Sequence, residues 1–257
     1  MVTVVSAKGG CGKTTVATAL LLAGAKAGQR VLGVDLDVNF GLTQVLAVGT
    51  AGDTVAEVLQ GKVDLGSATV KAKTTGLAGV LDVLPGSRNT DVVLRDLPSG
   101  LDALLTQADR EGYDMVLLDT PGNRQMYAGP MQSADRIIVP TELDYLAIAG
   151  AALTVLEATE LELRHRIFGI VVTNARRPLT REARILLEGL QNQGWAFPGV
   201  LWRNAGWEAA RSGTVAIPPA HVFAVAEEIY QAVVGGWRCR ADTLNQFAAI
   251  AVQRRMG

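Results

Sequence analysis

Short unbroken apolar runs, bounded by glycine, proline or acidic residues, recur along the chain. Val2–Val5, Arg30–Asp37, Val80–Leu84, Tyr113–Asp119, Ala134–Thr141 and Ile167–Thr173 have strand length and centre on Val, Ile and Leu. Strands buried on both faces read as continuous apolar runs, because neither side meets water. Between them, apolar residues fall at helical spacing. Leu97–Glu111 shows it plainly, with Leu97, Leu101, Leu104, Leu105 and Ala108 on one face. Val16–Ala27, Ala147–Leu163, Arg181–Gln193 and Val222–Val234 also predict helices, with shorter ones at Phe40–Leu46 and Thr54–Gln60. Gly199–Trp202 predicts a last short strand. This alternation predicts an α/β fold: a mostly parallel, twisted sheet with helices on both faces, forming one domain over residues 1–234. Residues 235–257 are expected to form a helical C-terminal tail.

The first strand runs into Ala7-Lys8-Gly9-Gly10-Cys11-Gly12-Lys13-Thr14-Thr15, and a helix follows. Strand, glycine turn and helix are the context that a phosphate-binding loop requires. Glycines let backbone N–H groups turn inward to phosphate oxygens, and the helix aims its positive end at the same point. Lys13 supplies a cation and Thr14 a hard oxygen suited to Mg²⁺. The usual pattern begins with glycine, whereas here the first position is Ala7. Asp119 ends an apolar strand, where a carboxylate can hold Mg²⁺. Asp35 and Asp37 stand at another strand end. Side chains two apart share a face, so both can point into the cleft if the strand continues through them. A turn at that point would part them.

The extra lysine in K-G-G-x-G-K-T-T resembles the deviant Walker A loop of the ParA/MinD family of ATPases. The resemblance runs from Met1 to about Val234 and implies a single-domain P-loop NTPase that binds ATP, ADP and Mg²⁺. It assigns Lys8, Gly9, Gly10, Cys11, Gly12, Lys13, Thr14 and Thr15 to the nucleotide, and Thr14, Asp35 and Asp119 to the metal site. It implies catalytic roles for Lys8, Lys13 and Asp37, with Asp37 orienting the attacking water. In that family the extra lysine, here Lys8, crosses a nucleotide-dependent homodimer to the partner's nucleotide. Asp119-Thr120-Pro121-Gly122 resembles the Walker B strand and the switch loop after it. Asn174 matches an asparagine that meets the adenine edge. Trp202 stands where many relatives have proline, and its indole can stack on a base or fill the core.

With the loop starting at residue 7, the likeness is to the short ParA-type partition ATPases. These leave operator recognition to a ParB-type centromere-binding protein and bind DNA non-specifically as ATP dimers. The implied location is cytoplasmic and nucleoid-associated. The alternative is a MinD-like positioning ATPase acting on membrane. Leu244–Arg255 has a weak apolar face and few flanking cations for that task, so membrane binding is not expected.

Composition sharpens the picture in two places. The formal net charge is −1, so no global pull toward nucleic acid exists. The charge is divided, however: residues 1–159 carry a net −5 and residues 160–257 a net +4. Any DNA contact is therefore expected from arginines in the second half, with Arg203, Arg211, Arg238 and Arg240 as candidates. The two cysteines, Cys11 and Cys239, make no disulfide framework and supply no paired-cysteine cluster.

Overall fold

A computed structural model describes residues 1–46, 52–72, 76–96, 99–203 and 220–240. The strands are β1 (Val2–Val4), β2 (Arg30–Asp35), β3 (Val70–Lys71), β4 (Val80–Leu84), β5 (Met115–Asp119), β6 (Arg136–Thr141), β7 (Ile167–Ala175) and β8 (Ala196–Trp202). They form one sheet in the order β3-β4-β2-β5-β1-β6-β7-β8. Every pairing is parallel except that of β3, which runs antiparallel to β4 at the edge. Parallel neighbours need long crossovers, and these are supplied by helices.

The helices are α1 (Lys13–Lys26), α2 (Gly41–Val45), α3 (Val55–Leu59), α4 (Leu65–Ala68), α5 (Thr90–Asp96), α6 (Ser99–Arg110), α7 (Arg124–Ser133), α8 (Tyr145–Glu160), α9 (Arg181–Asn192) and α10 (Ala220–Val234). The strand period of two divides the core cleanly. Val31, Leu81, Val83, Leu117, Ile138 and Val171 face a cluster built with α1 and α10. Their neighbours Leu32, Val34, Leu118, Ile137, Val139 and Val172 face the opposite side, against α3, α6, α7 and α8. The helix α1 is buried nearly all round, so it lies in the interior rather than along the surface.

The expected α/β architecture is present. Four further elements, α4, α5, α7 and β3, carry no clear sequence pattern. Leu97, expected to open α6, lies outside the described residues, as do residues 204–219 and 241–257. The described start of the tail is not helical: Cys239 N–H bonds to the Phe168 carbonyl at 2.8 Å and Arg240 N–H to the Gly194 carbonyl at 2.9 Å.

In this strand order β1 lies between β5 and β6, with connections departing to either side. The crevice beyond the carboxyl ends of strands at such a reversal is where open α/β sheets bind ligands.

Candidate nucleotide-binding site

The crevice holds the glycine loop that follows β1. Gly10 and Gly12 take left-handed backbone angles, with φ of 76° and 88°. At Gly12 space is also decisive, since a Cβ would stand 2.7 Å from Thr173 Oγ1. That hydroxyl donates to the Cys11 carbonyl at 2.7 Å and stands 3.3 Å from the Thr141 carbonyl, fastening the loop to β7 beside β6. The buried Cys11 thiol donates to the Lys8 carbonyl at 3.2 Å and closes the loop from within. Gly12 is also the N-cap of α1 and brings no side-chain cap. The first-turn N–H groups of a helix have no intrahelical acceptor, which suits them to an anion.

Lys13 begins α1 and is 7% exposed. Its ammonium bonds to the Lys8 carbonyl at 3.4 Å. A buried cation with one long neutral hydrogen bond is stabilised strongly by an incoming anion. The loop after β5 closes over it: a Cβ on Gly122 would lie 3.5 Å from Lys13 Nζ.

Beside the lysine, Thr14 Oγ1 donates to Asp119 Oδ2 at 2.8 Å. Asp119 is fully buried, and its other oxygen, Oδ1, has no hydrogen-bond partner. Burial first, and then the charge of Asp35, pushes the Asp119 pKa up to about 8, against the pull of Thr14 and Lys13. A hydroxyl and a carboxylate whose second, buried oxygen is orphaned fit a hard divalent cation. Among the described residues no three His, Cys, Asp or Glu side chains form a cage. Mg²⁺ does not need one, because it retains waters and takes phosphate oxygens.

The two aspartates of the D-x-D sequence part company. β2 ends at Asp35, so Asp37 lies in the loop beyond it. Both Asp35 oxygens are committed. Oδ1 accepts the Asp37 N–H at 3.1 Å, and Oδ2 accepts the Thr43 N–H at 2.8 Å and hydroxyl at 2.6 Å. Burial raises the Asp35 pKa to about 6, although these hydrogen bonds oppose the rise. Asp35 thus clasps residues 37–43 and lends charge beside Asp119. Asp37 is half-exposed, and its Oδ1 accepts the Asn39 N–H at 2.9 Å and side-chain amide at 2.8 Å.

A family profile described as "AAA domain" matches residues 1–167. Within its span lie the loop, Asp35, Asp37 and Asp119. The chromosome-partitioning ATPase Soj of Thermus thermophilus is 34% identical over 174 residues, covering 65% of this chain and 66% of Soj. The chain belongs to the ParA/MinD family of deviant Walker A P-loop ATPases. The septum site-determining protein MinD of Buchnera aphidicola is 30% identical over 183 residues, covering 69% of this chain and 60% of that protein. The matched stretch thus spans about two thirds or less of these curated relatives' own length. A solved structure of an aspartate-to-alanine variant of Cyanothece McdA in complex with ATP superposes with a TM-score of 0.73 at 17% identity, over 91% of this chain and 95% of that one. At that identity the likeness shows the shared P-loop NTPase fold.

The rim of this ParA/MinD site is built differently from its floor. Lys8 turns away from the loop and pairs with Asp144, its Nζ 3.1 and 3.3 Å from the two carboxylate oxygens. Asp144 is the N-cap of α8 and accepts the Ala147 N–H at 2.8 Å. Burial works against the Asp144 charge, but Ala147 and Lys8 outweigh it and hold the carboxyl below its ordinary pKa. Asn174, with φ 53°, donates to Glu142 Oε1 at 2.6 Å. Glu142, Asp144 and Asn174 border a cleft of about 290 Å³ lined also by Arg176, Pro178 and Thr180. Trp202 lies under the Arg177 guanidinium, 4.1 Å from the ring centre, so one indole face is already covered.

The candidate DNA arginines fall at two ends of β7. The Arg203 N–H bonds to the Ala175 carbonyl at the cleft end, whereas Arg238 donates to the His165 carbonyl at the other. Arg240 accompanies Arg238, and Arg211 lies outside the described residues. Sequence reading misses Asp144, Glu142, Thr43 and Thr173. Only Asp144 carries a local signal, as an aspartate opening a helix.

Proposed function

We propose that this chain is an ATP-driven dimerisation switch of the DNA-partition type, hydrolysing ATP slowly to ADP and phosphate. The observation that carries the reading is the different placement of two lysines. Lys13 is buried in the loop, whereas Lys8, with a side chain 32% exposed, is held at the rim by Asp144. A rim cation can reach a nucleotide bound to a second copy. Two facing triphosphates repel strongly, and an ammonium from each subunit offsets that repulsion.

In this reading Lys13, Thr15 and residues 8–12 hold the phosphates, and Asn174 meets the adenine edge. Thr14 and Asp119 hold Mg²⁺, which when bound neutralises triphosphate charge. Asp35 keeps the 37–43 loop in place, and Asp37 orients the attacking water. Loss of the γ-phosphate contact then loosens the dimer. A ParB-type protein would set the timing, and the ATP dimer would bind DNA non-specifically in a nucleoid-associated, cytoplasmic cycle. The likeness to a chromosome-partitioning ATPase supports this, as does the exposed trio Arg176, Arg177 and Arg203 beside the cleft.

The test is a DNA titration with ADP, with ATP and at rising salt. ATP-dependent, sequence-blind binding that weakens with salt is expected, and its loss in Lys8→Ala along with the dimer. Binding that ignores the nucleotide would overturn the reading. The likeness to MinD favours one rival, a positioning ATPase on membrane. Among the described residues no helix is long and apolar enough to cross a membrane, which leaves surface attachment as that rival's route. ATP-dependent co-sedimentation with anionic vesicles, in place of DNA binding, would establish it.

A further inference from the structure

The loop's first residue is Ala7 where the common pattern has glycine, and its backbone has a specific partner. The Ala7 N–H donates to Thr154 Oγ1 on α8 at 2.9 Å. That hydroxyl in turn donates to the Gly150 carbonyl, one turn earlier, at 3.0 Å. A hydroxyl can give one hydrogen bond and accept others, so Thr154 serves helix and loop together. It is wholly buried. Toward the start of α8, Gly150 leaves room for the passing chain, since a Cβ there would stand 3.0 Å from Lys8 Cβ. Nearer still to the helix start, Asp144 receives the Lys8 ammonium. Residues 144, 147, 150 and 154 recur at helical spacing, so Ala7 and Lys8 are laid along one face of α8.

We propose that Thr154 is a positioning residue for Lys8. By holding the Ala7 amide it fixes where the lysine arm begins, and so where its ammonium can reach when it leaves Asp144. Ala7 is accommodated because its backbone needs no left-handed angle. The proposal rests on the reading that Lys8 acts on a second chain's nucleotide.

The test compares Thr154→Val, Thr154→Ser and Gly150→Ala in the full chain. Dimerisation driven by a non-hydrolysable ATP analogue is followed by light scattering, beside the Kd for a fluorescent ATP analogue and Tm. Thr154→Val removes the hydroxyl and with it the bond that holds the Ala7 N–H, and should raise the protein concentration for half-dimerisation by about three- to tenfold. Nucleotide Kd should change by less than about twofold, and Thr154→Ser should restore dimerisation, since serine supplies the same hydroxyl. Gly150→Ala should weaken dimerisation likewise, although alanine is the better helix former. Normal dimerisation in a folded Thr154→Val overturns the proposal, as does a loss in Thr154→Val matched by an equal loss of nucleotide affinity. If Thr154→Val does not fold, Thr154→Ala, which removes the same hydroxyl, takes its place and is read the same way. A wild-type chain that never dimerises with the analogue would instead overturn the switch reading beneath it.

Discussion

Two pairs of carboxylates border the phosphate loop, and they behave in opposite ways. Asp35 and Asp119, at the ends of β2 and β5, are fully buried and have raised pKa values. Their partners are backbone N–H groups and hydroxyls fixed by neighbouring strands and turns. Glu142 and Asp144 follow β6 at the surface and are joined to the side chains of Asn174 and Lys8. An ion pair as exposed as Lys8–Asp144, at 32% and 44%, contributes only about 0–1 kcal/mol. Breaking it is therefore easy, whereas moving Asp119 means moving the sheet. The floor is fixed by the sheet and buried, whereas the rim is held by exposed side-chain contacts.

The sharpest break in this comparison is Lys13→Ala. It removes the cation that the floor keeps buried, so nucleotide affinity should fall on the order of a hundredfold or more, as when one member of a buried charge pair is deleted (roughly 3–5 kcal/mol). Asp144→Asn, the rim counterpart, should change that affinity by less than about fivefold, the scale of an exposed pair. Titration calorimetry with an ATP analogue separates the two. Comparable losses would show that the rim is as fixed as the floor.

Asp119→Asn tests the floor through its protons. Burial and the Asp35 charge push the Asp119 pKa from its ordinary 3.8 up to about 8 in the folded chain, which therefore holds the proton more tightly. This group's contribution to stability is thus greatest below the unfolded value and is lost as pH rises through about 8. Asp35 adds the same sign of slope up to about pH 6. Without metal or nucleotide, Tm should fall from pH 5 to pH 8. Asp119→Asn should flatten that fall and gain roughly 1–3 kcal/mol at pH 8, while losing Mg²⁺-dependent hydrolysis. Thermal melts across that range check it, and an unchanged slope would remove Asp119 as its source.

Much of the floor was legible in the sequence because it lies at strand ends, where apolar runs stop on Asp35 and Asp119. The glycine spacing carried the rest, through the angles that Gly10 and Gly12 require. What stayed hidden depends on tertiary contact. Nothing local says that β2 stops at Asp35 and leaves Asp37 in a loop, nor that Thr154 faces Ala7. α7 is hidden because Gly129 and Pro130 lie inside it, both poor helix residues on propensity. β8 extends back to Ala196 because Pro198 is tolerated on an edge strand, where no neighbour needs its missing N–H. α8 begins at Tyr145, ahead of the expected Ala147, because Asp144 caps it.

The smallest effect concerns Asn174, where a backbone role and a side-chain role overlap. Its φ of 53° is a left-handed angle that asparagine tolerates and alanine resists by roughly 1–2 kcal/mol. Its amide also bonds Glu142 and stands beside the cleft. Glycine and alanine pull these roles apart. If Asn174 serves chiefly the turn, Asn174→Gly should keep Tm while Asn174→Ala lowers it, and ATP affinity should follow Tm. If its amide reads adenine, both variants should lose a similar amount of ATP affinity, about fivefold for one hydrogen bond, and discriminate less against GTP. The adenine role predicts the second pattern, with Tm and affinity uncoupled in the glycine variant. Affinity that tracks Tm across both variants would reduce Asn174 to a turn residue on the rim.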